Sequence, residues 1–215
     1  MNIKVLIVTG GERPEKGLLK ERAFSSSMVI AADRGAQYCL KAGILPDMVV
    51  GDMDSLPAEV QNELISKQIE IRRFDCRKDM TDTQIAVDAA IEKGADEIEI
   101  LAGIGSRFDH SLANVYLLFR AMKQGVKAKI VSGIHEIFLI EGKSMIMDEA
   151  GSIISFLPLE RYAKGVTLKG FEYETDNIDM DMSFPVGVSN VICSDSAGVI
   201  ISDGILIAII TRSGE

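Results

Sequence analysis

The sequence has no tryptophan and only three cysteines, Cys39, Cys76 and Cys193. They are odd in number, widely spaced and form no C-x-x-C, which argues against a disulfide framework and a thiolate zinc site and fits reduced thiols in a cytoplasmic protein. Positive charge is scarce as well. There are 23 Lys and Arg against 32 Asp and Glu, a net charge of −9, and no basic cluster is long. Without a basic stripe the chain lacks the footprint of a nucleic-acid binder, whereas an acidic surface suits metal ions and cationic ligands. Long apolar runs are missing too: no window approaches the roughly 18 apolar residues that span a bilayer. The apolar part of the N-terminal MNIKVLIVTGG is too short for a secretory signal and has no small-residue cleavage pattern, so it reads as a buried first strand. Neither G-x-x-x-x-G-K-[ST] nor G-x-G-x-x-G occurs, which removes the Walker A loop and the dinucleotide fingerprint.

What is present is an ordinary globular composition, 47% hydrophobic and 26% charged, in 215 residues, enough for one large or two small domains with real cores. The hydrophobic period changes near residue 133. Before it, the short apolar runs IKVLIV (3–8), MVIAA (28–32), DMVVG (47–51), IEIRRF (69–74), EIEILAG (97–103) and AKIVSG (128–133) alternate with AQYCLKAG, PAEVQNELISKQ, TDTQIAVDAAIEKG and SLANVYLLFRAMKQG. Those intervening segments carry apolar residues at three- and four-residue spacing and mostly end in glycine, as helices do. Residues 1–133 are therefore expected to form an α/β domain with a mostly parallel, Rossmann-like sheet. Residues 134–215 hold short strand-like runs broken by Gly, Pro, Asn and Asp, and predict an all-β, sandwich-like domain. SAGVIISDGILIAI reads as a hairpin turning at Asp203-Gly204.

Ligands of open parallel sheets bind beyond the carboxyl ends of the strands. The strand ends of the first half carry Gly10 and Gly11; Asp33, Arg34 and Gly35; Gly51, Asp52 and Asp54; Asp75, Lys78, Asp79 and Asp82; and Gly103, Gly105, Arg107, Asp109 and His110. Carboxylates at Asp52, Asp54 and one or more of Asp33, Asp79 and Asp82 make a hard oxygen site suited to Mg²⁺ that shares its shell with phosphate oxygens. Lys78 and Arg107 supply the positive charge that phosphates need. Each residue also has a plainer use. If VGDMDS continues a strand, Asp52 and Asp54 fall on one side of it; it is equally a turn, with Ser55 an N-cap. Thr81 and Gln84 fit a capping box with Asp82 favourable in the first helical turn. Asp109 can cap the following helix with Arg107 as its exposed salt partner, His110 can be a first-turn surface histidine, and His135 leads a strand. Gathered on one edge, these residues favour a Mg²⁺ and nucleotide-phosphate site.

ADRGA (32–36), PDMVVGDMDS (46–55), KDMTDTQIA (78–86) and GIGSRFDHSLANV (103–115) resemble, in order and spacing, the signature segments of thiamin pyrophosphokinases. SFLPL (155–159), GVTLKGFEYE (165–174) and VSNVI (188–192) resemble that family's C-terminal thiamin-binding domain. The resemblance implies transfer of a pyrophosphoryl group from ATP to the thiamin hydroxyl, giving thiamin diphosphate and AMP with Mg²⁺. It implies catalytic and metal roles for Asp52, Asp54 and Asp82 with Asp79 beside them, and ATP contacts from Asp33, Gly35, Lys78, Gly105, Arg107, Asp109 and His110. Substrate contacts fall to Thr81, Ser189 and Asn190, in a homodimer whose thiamin site is completed by the second subunit. Two positions depart from the family pattern: Arg34 stands where a glycine is usual in ADGGA, and Ser106 precedes Arg107 where GGR is usual. The hydroxyl proton is assigned to Asp79 or Asp82. With no Trp, ring stacking falls to Phe171 or Tyr173. Rival readings are a pyrophosphokinase for another heterocyclic alcohol such as a hydroxymethyl pterin, a D-x-D glycosyltransferase, and a non-catalytic Mg-nucleotide sensor.

Overall fold

In the first of two units, Met1–Gly133, the nearly all-apolar runs are strands and the amphipathic segments are the helices that cover them. The structure, a computed structural model, describes residues 2–54, 56–73, 80–194 and 196–212. Its order is β1 (Lys4–Val8), α1 (Lys16–Phe24), β2 (Met28–Ala32), α2 (Gly35–Ala42), β3 (Met48–Gly51), α3 (Ala58–Ser66), β4 (Glu70–Arg73), α4 (Asp82–Glu92), β5 (Glu97–Leu101), α5 (Phe108–Lys123) and β6 (Lys127–Ser132). All neighbouring strands are parallel, in the order β4-β3-β2-β1-β5-β6. Val5 to Val8 are fully buried, as befits a strand covered on both faces. The chain steps outward from β1 to β4 and then returns to the other side of β1 with β5. The topological switch point is thus between β1 and β5, the place where such sheets bind ligands. Helix α1 is not among the expected elements, because it buries a single residue, Leu19, and so lacks an apolar stripe.

One carboxylate in this unit is buried without belonging to the sheet edge. Glu99 in β5 is 1% exposed and lies among three cations: Lys4 Nζ at 3.2 Å, Arg22 Nε at 3.3 Å and Lys129 Nζ at 3.8 Å. Register explains the convergence. Glu99 sits opposite Leu6 of β1 and Lys129 of β6, and Lys4 is two residues from Leu6 on the same face. Arg22 comes from α1, so the acid fastens that weakly amphipathic helix to the sheet. A buried charge stripped of its partners, or partners stripped of their charge, costs several kcal/mol, reduced here because the cations keep partial access to water. We expect Glu99→Gln to lower the unfolding free energy by about 2–3 kcal/mol in urea denaturation, and Arg22→Ala, which leaves two cations on Glu99, to cost less.

In the second unit, Ile134–Glu215, every regular element among the described residues is a strand. These are β7 (His135–Ile146), β8 (Ile153–Pro158), β9 (Tyr162–Lys169), β10 (Thr175–Asp181), β11 (Asn190–Val191) and β12 (Ala197–Thr211). β7 lies antiparallel along one edge of β12 for its whole length; β9 pairs with the first part of the opposite edge and β8 with the last. β10 adds to β9 and β11 to β8. The hairpin expected at Asp203-Gly204 is not formed. Both halves of β12 pair with the same strand, Ile200 with Lys143 and Ile205 with Glu141, so the extra residues are a bulge that bends one long strand. Gly204 supplies the bend with φ +95°, opposite Gly142 at φ +67°. The core is filled by inward residues of alternating position such as Leu206, Ala208 and Ile210, packed on Ile154 and Phe156. β10 went unforeseen because TDNIDMD carries few apolar residues, and only Met180 is buried. His135, at the head of β7, places Nδ1 3.1 Å from Thr211 Oγ1, a structural contact.

Candidate active site

β3 stops at Gly51, before either aspartate of VGDMDS, so Asp52 and Asp54 do not share the face of a strand. They occupy a turn. The Asp54 N–H donates to Asp52 Oδ1 at 2.9 Å, and Gln61 Nε2 of α3 donates to the carbonyls of Met53 at 3.1 Å and Leu56 at 3.0 Å. Met53 is held with φ +68° and is 2% exposed, which makes it the core anchor that fixes the turn. A side chain of this size with positive φ is strained. Ser55 lies outside the described residues.

Gly51 itself, with φ +142°, lies beside the Asp33 backbone and the Asp82 carboxyl group. A methyl group there would stand 3.5 Å from the Asp33 nitrogen and 3.6 Å from Asp82 Cγ. Asp33 ends β2 with φ +52°, its N–H bonded to the Val50 carbonyl at 3.0 Å and its carbonyl accepting from Ala36 at 3.1 Å. Burial pushes the Asp33 carboxyl above the usual range, and the neighbouring Asp82 and Asp52 charges push the same way, against the Arg34 N–H and guanidinium. Asp82 is in the first turn of α4, favourably placed at the positive end of the helix, and Thr81 caps that helix by accepting from the Gln84 N–H at 3.1 Å. Thr81 is therefore occupied as a cap. Asp75, Cys76, Lys78 and Asp79 lie outside the described residues.

Among the described residues, no group of three or more His, Cys, Asp and Glu stands close enough to hold a metal ion. The donor chemistry still fits Mg²⁺. Asp33, Asp52 and Asp82 are hard oxygen donors, the ligand type that Mg²⁺ takes, and the last two add negative charge around Asp33.

On the far side of β2 the next two loops are laced together. Thr9 donates from its backbone to the Leu101 carbonyl at 3.0 Å and from its hydroxyl to the Ala102 carbonyl. Gly11 N–H bonds Ala102 at 3.0 Å and Glu12 N–H bonds Ile104 at 2.7 Å. Gly105 N–H goes to Ser111 Oγ at 3.0 Å. These glycine-loop donors are thus engaged within the protein. Gly35 begins α2 where any side chain would collide with the Val8 carbonyl. Arg34 has an ordinary helical φ of −57° and is exposed, so its side chain is accommodated without backbone strain.

Arg107 is the N-cap residue of α5, and Asp109 lies in its first turn rather than capping it. The two side chains form a two-pronged ion pair, 2.6 and 3.3 Å, with His110 Nε2 4.0 Å from the same carboxylate. The Arg107 guanidinium holds the Asp109 carboxyl below its ordinary range. Both groups are mostly exposed, so this pair is weak and Arg107 can exchange to a phosphate at little cost. Three residues absent from the expected site shape it. Ser111 Oγ bridges Gly105 and Arg107, Asn114 Nδ2 donates to the Gly103 carbonyl at 2.6 Å, and Tyr38 Oη donates to the Gly11 carbonyl at 3.0 Å. The signal available for two of them was SLAN, polar residues three apart on an otherwise buried helix face.

In the second unit, Ser189 is exposed with φ +60° and donates its N–H to Ser155 Oγ at 3.1 Å. Asn190 is 3% exposed and fully committed to backbone partners.

Because the fold raises the Asp33 carboxyl, its ionised form costs stability at neutral pH, and that cost is relieved as pH falls through its titration. Asparagine tolerates a left-handed φ. Asp33→Asn is therefore expected to raise the melting temperature at pH 7 in EDTA by roughly 1–3 °C, measured by calorimetry, whereas a fall would contradict the repulsion.

Residues 19–130 match the family model "Thiamin pyrophosphokinase, catalytic domain" and residues 143–206 match "Thiamin pyrophosphokinase, vitamin B1 binding domain". A thiamine pyrophosphokinase of Bacillus subtilis is 30% identical over 205 residues, covering 94% of this chain and 96% of the relative. The crystal structure of thiamine pyrophosphokinase from Bacillus subtilis superimposes with a TM-score of 0.88 at 27% identity, over 98% of this chain and 100% of that one. That from Geobacillus thermodenitrificans gives 0.86 at 28% identity, over 99% of each. With family models matched in both units and full-length likeness in sequence and fold, the chain belongs to the thiamin pyrophosphokinase family.

Proposed function

We propose that this chain transfers the pyrophosphoryl group of ATP to the hydroxyl of thiamin, giving thiamin diphosphate and AMP. The observation that carries the proposal is that Asp33, at the end of β2, lies within electrostatic reach of both Asp82 and Asp52, in a chain of this family. The thiamin hydroxyl oxygen bonds to the β-phosphorus, the bridge from that phosphorus to the α-phosphate oxygen breaks, and AMP leaves. Asp52, Asp54 and Asp82 would hold Mg²⁺, which neutralises phosphate charge when bound. Asp79 or Asp82 accepts the hydroxyl proton, and Lys78 and Arg107 bind phosphate oxygens. Asp33, Gly35, Gly105, Asp109 and His110 frame the nucleotide. In-line positioning and charge neutralisation supply most of the rate.

The nucleotide and Mg²⁺ belong to residues 1–133 in this proposal, and thiamin to residues 134–215 with Ser189 as a contact. We further propose a cytoplasmic homodimer. The loop from Met182 to Val188 supports the dimer: Met182, Phe184, Val186 and Val188 are each at least half exposed, an apolar surface suited to burial against a second copy. No helix among the described residues is long and apolar enough to cross a membrane.

Incubation with Mg·ATP and thiamin should yield AMP and thiamin diphosphate in equal amounts; ADP, free pyrophosphate or no product would overturn the proposal. Asp52→Asn should reduce turnover by roughly 10²–10³-fold with an unchanged circular dichroism spectrum, and activity within about tenfold of wild type would remove Asp52 from the machinery.

A further inference from the structure

The turn that carries Asp52 and Asp54 is closed by bonds of its own and by a side chain of α3. Within the turn, the Asp54 N–H donates to Asp52 Oδ1 at 2.9 Å and the Leu56 N–H donates to the Met53 carbonyl at 3.1 Å. From one turn into α3, Gln61 Nε2 donates to the Met53 carbonyl at 3.1 Å and to the Leu56 carbonyl at 3.0 Å. Two carbonyl oxygens can be met only by the NH₂ end of an amide, which fixes the orientation of the Gln61 side chain. Gln61 is half-buried, and Met53 and Leu56, whose carbonyls it bridges, are 2% and 3% exposed. The aspartates on the same turn remain open to solvent, Asp52 partly and Asp54 fully.

The Met53 carbonyl is an effective place to hold such a turn. Met53 stands between the two aspartates, so restraining the peptide that joins it to Asp54 restrains the directions in which both carboxylates leave the backbone. Its φ of +68° is one that a large side chain keeps only where the surroundings impose it. Burial of the Met53 side chain supplies one constraint and the Gln61 amide supplies a second. Mg²⁺ accepts only a narrow geometry, with oxygens at about 2.0–2.1 Å, so carboxylates on a loose turn bind it poorly. Groups behind the ligands commonly set metal affinity by about 10- to 100-fold. Gln61 carries no charge and therefore acts through position.

We infer that Gln61 is a positioning residue for the cation site, holding the Asp52–Met53–Asp54 turn in the shape in which its carboxylates take a divalent cation. This rests on Asp52 and Asp54 being Mg²⁺ ligands, as in the proposed function.

The test is titration calorimetry of Mn²⁺, standing in for Mg²⁺, into the full chain and two variants. Gln61→Met keeps the length and helix-forming tendency of the side chain and removes the donor. Gln61→Glu keeps the shape and replaces the donor with an acceptor. Both are expected to weaken Mn²⁺ binding about tenfold with an unchanged circular dichroism spectrum. Excess Mg²⁺ should return their turnover to within about twofold of wild type, so that the loss lies in the metal dependence and not in kcat. The glutamate variant separates position from charge: a carboxylate acting only through its field would tighten Mn²⁺ binding, whereas loss of the clamp weakens it. Should Gln61→Met fail to fold, Gln61→Glu carries the same test. Wild-type Mn²⁺ affinity in Gln61→Met, or tighter binding by Gln61→Glu, overturns the inference alone. A lower melting temperature with unchanged Mn²⁺ affinity also overturns it, leaving Gln61 a structural residue. Absence of saturable Mn²⁺ binding by the wild type overturns the metal reading and the inference together. If Gln61-dependent Mn²⁺ binding stands while no thiamin diphosphate forms, only the proposed activity fails.

Discussion

Ionised aspartates brought to one edge of a sheet repel each other, and the first unit is arranged around holding them there. Asp33 is fixed in a left-handed backbone by the Val50 carbonyl, and Gly51 leaves room for the Asp33 backbone and the Asp82 carboxylate to approach. Asp82 gains from the start of α4, which Thr81 caps. Asp52 and Asp54 project from a turn whose anchor, Met53, is sunk in the core. The Asp33 carboxyl stays raised nonetheless, chiefly by burial and further by the Asp82 and Asp52 charges.

The second unit uses the opposite approach. There the buried polar residue, Asn190, is completely satisfied, holding the Tyr173 backbone on both sides. The bulged β12 explains how so few strands enclose a core: one strand serves β9 with its first part and β8 with its last.

Much of this was legible in the sequence. Apolar runs located β1 to β6, and the polar residues following them located the edge, because burial on both faces leaves a parallel strand almost no other composition. Strand order was not legible, since it depends on pairing, and with it went the switch point between β1 and β5. For Asp52 and Asp54 the turn was the readier reading and the strand its alternative; β3 ending at Gly51 decides for the turn, and a lone methionine between acids gives no warning that Met53 is buried. Asp203-Gly204 has the chemistry of a hairpin, yet continued pairing with β7 made it a bend. Asn190 and Ser111 were visible only as motif letters, because their work is done through hydrogen bonds to backbone that only the folded loops bring within reach.

The central claim is that the carboxylates around Gly51 form a divalent cation site. Its most direct measurement is an electron paramagnetic resonance titration of Mn²⁺, a visible substitute for Mg²⁺, into the wild type and the Asp52→Asn/Asp82→Asn double variant. The account predicts saturable binding by the wild type, weakened at least about tenfold in a variant that remains folded. Equal binding by the two proteins would contradict it.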